Sequence, residues 1–246
     1  MTEATALVAI TRGGALLLQR LAVVLPEADL YVNERGYALL QPFHDRTTLV
    51  QGGVAAAVGD LFSGYDQLVF TFSIGASLRL LAPHLQDKSA DPGVVVVDEA
   101  GRFVIPVLSG HLGGANRFAA QLAEKLGATA VFTTAAEVQQ TLAVDILGRE
   151  LGWQVEADKA ALLSAAAAVV NGEPVALVQE AGSGAWWPAD RPLPNNIHLF
   201  ENLDDLNKQA YAAILYIGHV TFNTDFMRQF GSRLVCYRPP LSSEGD

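Results

Sequence analysis

The stretch VIPVLSGHLGGANRFAAQLAEKLGATAVFTTAAE, residues Val104–Glu137, decides the fold class. It opens with a run of strand formers, turns through the glycine-rich segment SGHLGGAN, and continues with apolar residues at helical spacing. Gly127 is the predicted helix end, and Lys125 in the last turn favours the helix dipole. A second apolar run, TAVFTTA, follows directly. A strand, a helix and a strand in this order are typical of an α/β protein.

The same alternation extends over the segments before this stretch. ATALVAIT, DLYVNE, QLVFTFS and GVVVVDE predict strands, and GGALLLQRLAVVL and IGASLRLLAPHL predict helices. TTLVQGGVAAAVGDLFSGY predicts one more helix, with Gly52 and Gly53 in its middle. The nearly continuous apolar runs are expected of strands buried on both faces of a parallel sheet. We therefore expect an α/β fold with a layered, mostly parallel sheet and helices on both faces.

After Thr134 the pattern changes to a smaller α/β module. VQQTLAVDILGRELGWQV and KAALLSAAAAVVNGE predict helices, and PVALVQE, AAILYIG and LVCY predict strands. We expect an N-terminal α/β domain over residues 1–139 and a middle α/β module with a C-terminal tail over residues 140–246. Trp186 and Trp187 lie in a Gly/Pro-rich loop and are candidates for core packing, an interface or a pocket lid.

Composition excludes several classes of partner. The chain has 246 residues, of which half are hydrophobic, and a formal net charge of −10. Nucleic acid and anionic membranes require a basic face, so neither is expected as a partner, although a local basic pocket remains possible. No apolar run approaches the roughly 20 residues of a membrane span, and a single cysteine, Cys236, cannot form an internal disulfide. We expect a cytoplasmic protein without a metal site, because the five histidines lack ligand spacing.

Glycine and polar residues follow several of the predicted strands, where ligands bind in parallel α/β sheets. The SGHLGGAN segment supplies Ser109, Gly110, His111, Gly113, Gly114 and Asn116. The glycines allow close approach of a ligand to the backbone, and the helix start behind them offers N–H donors to an anion. The alternative is that the glycines only shape the turn, while His111 caps a helix or bonds a carbonyl.

Two further loops have the same character. SIGASLRLLAP carries Gly75, Ser77 and Arg79, and the arginine is either a carboxylate clamp or a solvated surface residue. FTTAAE carries Thr133 and Thr134, which offer hydroxyl groups, unless Thr134 is only an N-cap. If these three strand ends meet at one sheet edge, they form one pocket.

A longer block carries a resemblance to a known family. GASLRLLAPHLQDKSADP, VVVVDEAGRFVIPVLSGHLGGAN and LGATAVFTTA closely resemble the cobalt-precorrin-5A hydrolases of anaerobic cobalamin biosynthesis. The resemblance is strong over residues 73–135, whereas AVDILGRELGW, NGEPVAL and LVCYRPP resemble the family's middle region. Members of the family commonly continue past the YRPP segment into a further C-terminal domain. This sequence stops at LSSEGD, so we expect that domain to be missing or to be a separate polypeptide.

The resemblance implies a hydrolase that acts on carbon–carbon bonds. Family members open the δ-lactone of an anionic cobalt-tetrapyrrole and release acetaldehyde, which gives cobalt-precorrin-5B. The cobalt travels with the substrate, so no cofactor is implied. The implied substrate-binding cations are Arg79, Lys88 and Arg102.

The same resemblance implies groups for the proton transfers. A glycine loop could hold the lactone oxyanion, and His111 with Ser109 is one candidate for acid and base. Asp98 and Glu99 are the other candidates, and no residue is preferred. The alternative for both carboxylates is that DEAG is only a turn between two strands.

Two other functions stay open at this stage. The first is a non-catalytic carrier that holds the corrinoid intermediate for a separate C-terminal-domain polypeptide or another cobalamin pathway enzyme. The second is a generic nucleotide-binding α/β protein, although the chain lacks both the GxGxxG fingerprint and the GK[ST] of a P-loop.

Overall fold

Buried hydrophobic strands form the centre of each half of the chain. The structure is a computed structural model, and it describes residues 3–87, 90–207, 209–223 and 230–241. Contacts divide the chain into two units, Met1–Phe132 and Thr133–Asp246. The division lies a few residues before the domain boundary expected from sequence. Each unit has its own sheet and hydrophobic core.

The first unit is built on a seven-stranded sheet. Its strands are β1 (Thr5–Ala9), β2 (Asp29–Val32), β3 (Thr47–Leu49), β4 (Gln67–Phe70), β5 (Gly93–Val97), β6 (Phe103–Leu108) and β7 (Thr129–Ala130). They lie side by side in the order β3-β2-β1-β4-β5-β6-β7. The first five are parallel to one another, whereas β6 is antiparallel to β5 and parallel to β7. The last two strands therefore run opposite to the rest.

Helices cover both faces because side chains alternate along each strand. In β1, Leu7 and Ala9 join one core cluster, and Ala6 and Val8 join the other. The helices of this unit, within the described residues, are α1 (Arg12–Val24), α2 (Glu34–Tyr37), α3 (Val54–Gly64), α4 (Ile74–Leu81) and α5 (Ala115–Leu126). The first cluster packs under α1 and α5, and the second under α3 and α4. The predicted α/β class with helices on both faces is confirmed.

The second unit has a smaller, five-stranded sheet. Its strands are β8 (Gln154–Glu156), β9 (Val175–Gln179), β10 (Ile197–Phe200), β11 (Ala213–Ile217) and β12 (Leu234–Arg238), and its helices are α6 (Ala135–Val138) and α7 (Lys159–Val170). The order is β10-β9-β11-β12-β8, with β8 antiparallel to β12 and the other pairs parallel. Trp186 and Trp187 pack against its core. Across the described ranges of both units, no helix has the length and apolar character to cross a membrane.

The predicted helix that began at Thr47 is wrong in its first part. Residues Thr47–Leu49 form β3, a turn follows, and the helix starts only at Val54. Gly52 and Gly53 have φ angles of 78° and 87°, in the left-handed region that a helix cannot use. The glycine pair thus separates a strand from a helix.

The helix predicted over residues 138–155 is also wrong. Its first residue ends α6, two short 3-10 turns follow, and its last two residues belong to β8. Gly148 and Gly152, with φ angles of 71° and 74°, interrupt the apolar spacing that predicted a helix. By contrast, Gly127 ends α5 with a φ of 65°, as predicted.

We expect Gly93→Ala to destabilise the first unit by about 1–3 kcal/mol, because the interior there is already closely packed. A Cβ at this position would lie 2.2 Å from Gln67 Oε1 and 2.7 Å from the Gly113 carbonyl oxygen. Urea unfolding measures the change. Gly64→Ala is the matched control, since nothing lies within 4 Å of its added Cβ. Equal stability of the two variants would contradict the packing described here.

Candidate active site

The strand order creates a crevice at the carboxyl ends of β1 and β4. The chain leaves β1 for α1 on one face of the sheet and leaves β4 for α4 on the other face. Ligands of open α/β sheets bind at such a switch point. Ser73 caps α4 by accepting a hydrogen bond from the Ala76 N–H at 3.3 Å, and Gly75 in the first turn is exposed.

Glu99 lies in this crevice. It follows β5, yet its carboxylate accepts a hydrogen bond from the hydroxyl of Thr11, which follows β1. Because β4 lies between β1 and β5, the Glu99 side chain crosses the carboxyl end of β4. The Thr11 oxygen also accepts from the Gly14 N–H at 2.9 Å, so Thr11 connects Glu99 to the first turn of α1.

The Glu99 carboxylate occupies the place that a phosphate takes in dinucleotide-binding folds of the same strand order. A Cβ added to Gly13 would lie only 2.5 Å from Glu99 Oε2, so the carboxylate rests directly on the start of α1. A negative charge is favourable there, because the helix start carries a partial positive charge. A bound phosphate would meet this carboxylate, which counts against the nucleotide-binding alternative.

Three exposed arginines, on α1, α2 and α4, have no bonding partner in the described part of the chain. Arg12 begins α1, Arg35 is the second residue of α2, and Arg79 is on α4. These helices follow β1, β2 and β4. Every other described lysine or arginine has a hydrogen bond, ion pair, ring contact or electrostatic interaction. A cavity of about 600 Å³ adjoins Arg35, and Asn33, Gln51 and Gly53 also line it.

Asp98 and Arg102 form the turn between β5 and β6. Asp98 Oδ1 accepts the N–H groups of Arg102 and Phe103, both at 2.7 Å, and Arg102 Nε lies 3.4 Å from Oδ2. Burial raises the pKa of the Asp98 carboxyl, but the two N–H donors and the Arg102 side chain together outweigh burial and hold the pKa below its usual value of 3.8. Asp98 is therefore committed to the turn, whereas Glu99 is directed into the crevice.

Ser77 is fully buried, and its hydroxyl donates to the Ser73 carbonyl at 3.1 Å. This side chain therefore supports the start of α4 and has no surface for a ligand. The predicted substrate contact of Ser77 is not supported by its position. Lys88 lies outside the described residues.

The SGHLGGAN loop lies at the opposite edge of the sheet, which corrects the expectation that the polar strand ends meet. The loop follows β6, and β6 runs antiparallel to β1–β5. It therefore packs beside the first residues of β4 and β5, where Gln67 Nε2 donates to the Gly113 carbonyl at 2.7 Å. The structure thus separates His111 from Glu99 and Arg79.

The N–H groups at the start of α5 are largely used within the loop itself. The N–H groups of Ala115 and Asn116 donate to the carbonyls of Ser109 and Gly110 at 3.2 Å and 2.9 Å. The Gly114 N–H donates to the His111 carbonyl at 3.0 Å. These donors are not available to an oxyanion.

The side chains of the loop add to its close packing. Asn116 is buried, and a Cβ on Gly110 would lie 2.6 Å from Asn116 Oδ1. Ser109 has a φ of 51°, an uncommon value for a non-glycine residue. These contacts match the reading in which the glycines shape the turn.

Thr133 and Thr134 belong to the second unit. Thr134 occupies the N-cap position of α6. Their predicted contact with substrate stays a prediction.

The second unit has its own cavity at the carboxyl ends of β9 and β10. It measures about 900 Å³ and is lined by Gln179–Gly182 and Leu199–Asn202. Glu180 accepts the hydroxyl of Tyr216 at 2.6 Å and the Leu203 N–H at 3.0 Å. Burial, and then the hydrogen bond to Glu180, raises the pKa of Tyr216 to about 12. No group of three or more His, Cys, Asp or Glu side chains with metal-binding geometry occurs within the residues that the structure describes.

Fold and crevice together define a doubly wound α/β protein joined to a second α/β unit. Two family models match the chain, one described as cobalamin synthesis G N-terminal over residues 56–137, and one described as cobalamin biosynthesis central region over residues 142–239. The chain therefore belongs to the cobalamin synthesis G family and contains its N-terminal and central regions. The family resemblance seen in the sequence is confirmed.

Two relatives of similar sequence support the family assignment. A cobalt-precorrin-5A hydrolase of Priestia megaterium is 36% identical over 243 residues, which cover 98% of this chain and 63% of that protein. A cobalt-precorrin-5A hydrolase of Salmonella typhimurium is 38% identical over 191 residues, which cover 76% of this chain and 49% of that protein. The chain thus spans only part of the length of these relatives.

One solved structure is more distant. A cobalamin biosynthesis protein G homolog from Sulfolobus solfataricus has a TM-score of 0.48 and 17% identity, and the match covers 96% of this chain and 60% of that chain. This similarity is too low to bear on the site.

Sequence reasoning missed Thr11, Arg12 and Arg35. The segments ITRGG and VNERG, each after an apolar run, carried a signal, since they repeat the pattern of a strand followed by a polar helix start. Their importance depends on the strand order, which places the ends of β1, β2 and β4 side by side.

We expect the unfolding free energy of the wild type to fall more steeply than that of Asp98→Asn as the pH decreases from about 5 to about 2. A carboxyl whose folded pKa is lowered stabilises the fold above its unfolded pKa of about 3.8, and this stability is lost as the pH falls through the folded pKa. Urea unfolding at a series of pH values measures the difference.

The control is Asp60→Asn, which removes an exposed carboxylate that accepts no hydrogen bond from the described residues. It should keep the steeper pH dependence of the wild type. Parallel curves for Asp98→Asn and the wild type would contradict the role of Asp98 in the turn.

Proposed function

We propose that this chain provides the N-terminal and central regions of a cobalt-precorrin-5A hydrolase. The observation that carries the proposal is the match of two consecutive family models over residues 56–137 and 142–239. The names of relatives 36% and 38% identical to the chain support it. The reaction is the opening of a δ-lactone by water, followed by carbon–carbon cleavage that releases acetaldehyde.

The proposed substrate is an anionic cobalt-tetrapyrrole, which carries the cobalt and leaves no requirement for a protein cofactor. The proposed location is the cytoplasm. The proposed partner is a separate polypeptide with the C-terminal domain of the family, or another enzyme of the pathway.

Glu99 is the proposed general base for the attack of water on the lactone. It lies exposed in the crevice, held by the Thr11 hydroxyl, whereas the neighbouring Asp98 is used by the turn. The water oxygen adds to the lactone carbonyl carbon while its proton passes to Glu99, and the acyl–oxygen bond then breaks to give a carboxylate and an alcohol.

The carbon–carbon cleavage follows from that alcohol. Its oxygen passes its proton to solvent water and forms the carbonyl of acetaldehyde as the bond to the macrocycle breaks. The electron pair of that bond passes to the macrocycle, which takes up a proton. A carboxylate that received a proton in the first step can return it here, which suits one residue acting as base and then as acid.

The first test is anaerobic incubation of the chain with cobalt-precorrin-5A, with acetaldehyde trapped and the macrocycle followed by mass. We expect acetaldehyde and cobalt-precorrin-5B. Binding without release would favour a carrier that needs a further polypeptide. If the chain neither binds cobalt-precorrin-5A nor releases acetaldehyde, the proposal for this chain is overturned.

We expect Glu99→Gln to lower kcat by about a hundred- to ten-thousand-fold, because the amide keeps the shape but cannot accept the proton. His111→Ala is the matched comparison at the opposite edge of the sheet and should change kcat little. Urea unfolding of both variants checks that they fold. The reverse result, with loss of turnover only in His111→Ala, would assign the base to the SGHLGGAN loop.

A further inference from the structure

Arg12, Arg35 and Arg79 are the described cations that have no partner, although acidic residues are plentiful in this chain. The sequence has 26 acidic and 16 basic side chains, so a surface arginine has many carboxylates to pair with. All three nevertheless stand unpaired, and all three are on helices that leave the carboxyl ends of parallel strands. We infer that they form a carboxylate-binding array, which anchors the peripheral carboxylates of a tetrapyrrole polycarboxylate over the crevice. The identity of the natural ligand rests on the proposed function.

Helix electrostatics gives Arg12 no structural reason to be where it is, because it is the first residue of the thirteen-residue helix α1. A cation at a helix start opposes the helix dipole, which is unfavourable. A bound anion removes this cost and gains a bidentate contact, because guanidinium and carboxylate groups match in shape.

The three positions suit a ligand with carboxylates spread around a rim. The loops that precede α1 and α2 are linked, because Asn33 Nδ2 donates to the Ile10 carbonyl at 2.8 Å. Arg79 is on α4, which covers the other face of the sheet. It is the sixth residue of that helix, about 8 Å along the axis from its start, and helical side chains tilt toward the start. Arg12 and Arg35 thus lie beside the crevice on one face of the sheet, whereas Arg79 lies set back from it on the other face, an arrangement that a single small carboxylate cannot bridge.

Glu99 determines where the anionic groups of such a ligand can lie. Its carboxylate already covers the start of α1, next to Gly13. A second carboxylate is repelled from that point and is attracted to the arginines around it. The ring of the ligand, with its lactone, then lies over Glu99, and its peripheral carboxylates point outward to the arginines.

The experiment measures binding of uroporphyrin I, a porphyrin with eight carboxylates, to the full chain by fluorescence titration at several salt concentrations. Coproporphyrin I, with four carboxylates, is the matched ligand. Arg12→Gln, Arg35→Gln and Arg79→Gln should each weaken uroporphyrin binding by about two- to fivefold, and the triple variant by about tenfold or more. The triple variant should also lose most of the salt dependence and most of the preference for eight carboxylates over four.

Arg117→Gln is the matched control, because it removes an exposed arginine of the same unit that pairs with Glu3 at the opposite edge of the sheet. It should bind uroporphyrin like the wild type. Weakened binding in Arg117→Gln with an unchanged triple variant would place the ligand near the SGHLGGAN loop and overturn the inference. Equal weakening in all variants would indicate attraction by general charge and would also overturn it.

The acetaldehyde assay separates this inference from the proposed function. Turnover by the wild type, with an unchanged KM in the triple variant, leaves the function standing and overturns the array. If the triple variant loses porphyrin binding but the wild type shows no turnover, the array is supported and the proposed hydrolase function is overturned. A raised KM with a preserved kcat in the triple variant supports both, since the arginines are proposed to bind and not to react.

Discussion

The turn at Asp98–Arg102 is the constraint on which the arrangement of the first unit depends. One carboxylate oxygen of Asp98 accepts two backbone N–H groups, so the chain reverses between β5 and β6 instead of crossing over through a helix. That reversal directs the end of β6, and with it the SGHLGGAN loop, to the edge where the parallel strands begin. It also leaves Glu99, the next residue, at the edge where they end. One short turn therefore determines which polar groups share a site.

The crevice at the ends of β1 and β4 shows how the same strand order serves different ligands. In a dinucleotide-binding fold, the first glycine-rich turn and the start of the following helix receive a phosphate. In this chain, Glu99 occupies that start through the Thr11 hydroxyl and lies against Gly13. The internal carboxylate satisfies the helix dipole and repels phosphate. Gly13 thus has a packing reason, because the Glu99 carboxylate needs the space that a side chain at this position would fill.

An acidic protein can still present a basic surface where the backbone places it. The net charge of −10 argues against a general partner such as nucleic acid, but it averages over positions. Arg46 is an example of an arginine whose hydrogen bonds are satisfied within the protein, because its guanidinium donates to the carbonyls of Ala22, Leu25 and Ala28. The arginines at the edge of the crevice differ from Arg46 in having no such bonds in the described ranges. Local exposure and pairing, more than the total charge, decide which anions the protein can bind.

The sequence by itself determined the α/β class, the strands with buried faces, helix α5 with its end at Gly127, and the family. These features depend on local periodicity, on single glycines and on a long motif, all of which can be read along the chain. It misjudged Thr47–Gly53, because an apolar run that contains two glycines fits both a helix and a strand followed by a turn. Only the tertiary structure decided that β6 runs antiparallel, that His111 and Glu99 lie at opposite edges, and that Thr11, Arg12 and Arg35 border the crevice. Strand order and direction arise from hydrogen bonds and packing between distant segments, and a pattern of neighbouring residues carries no information about which segments will pair.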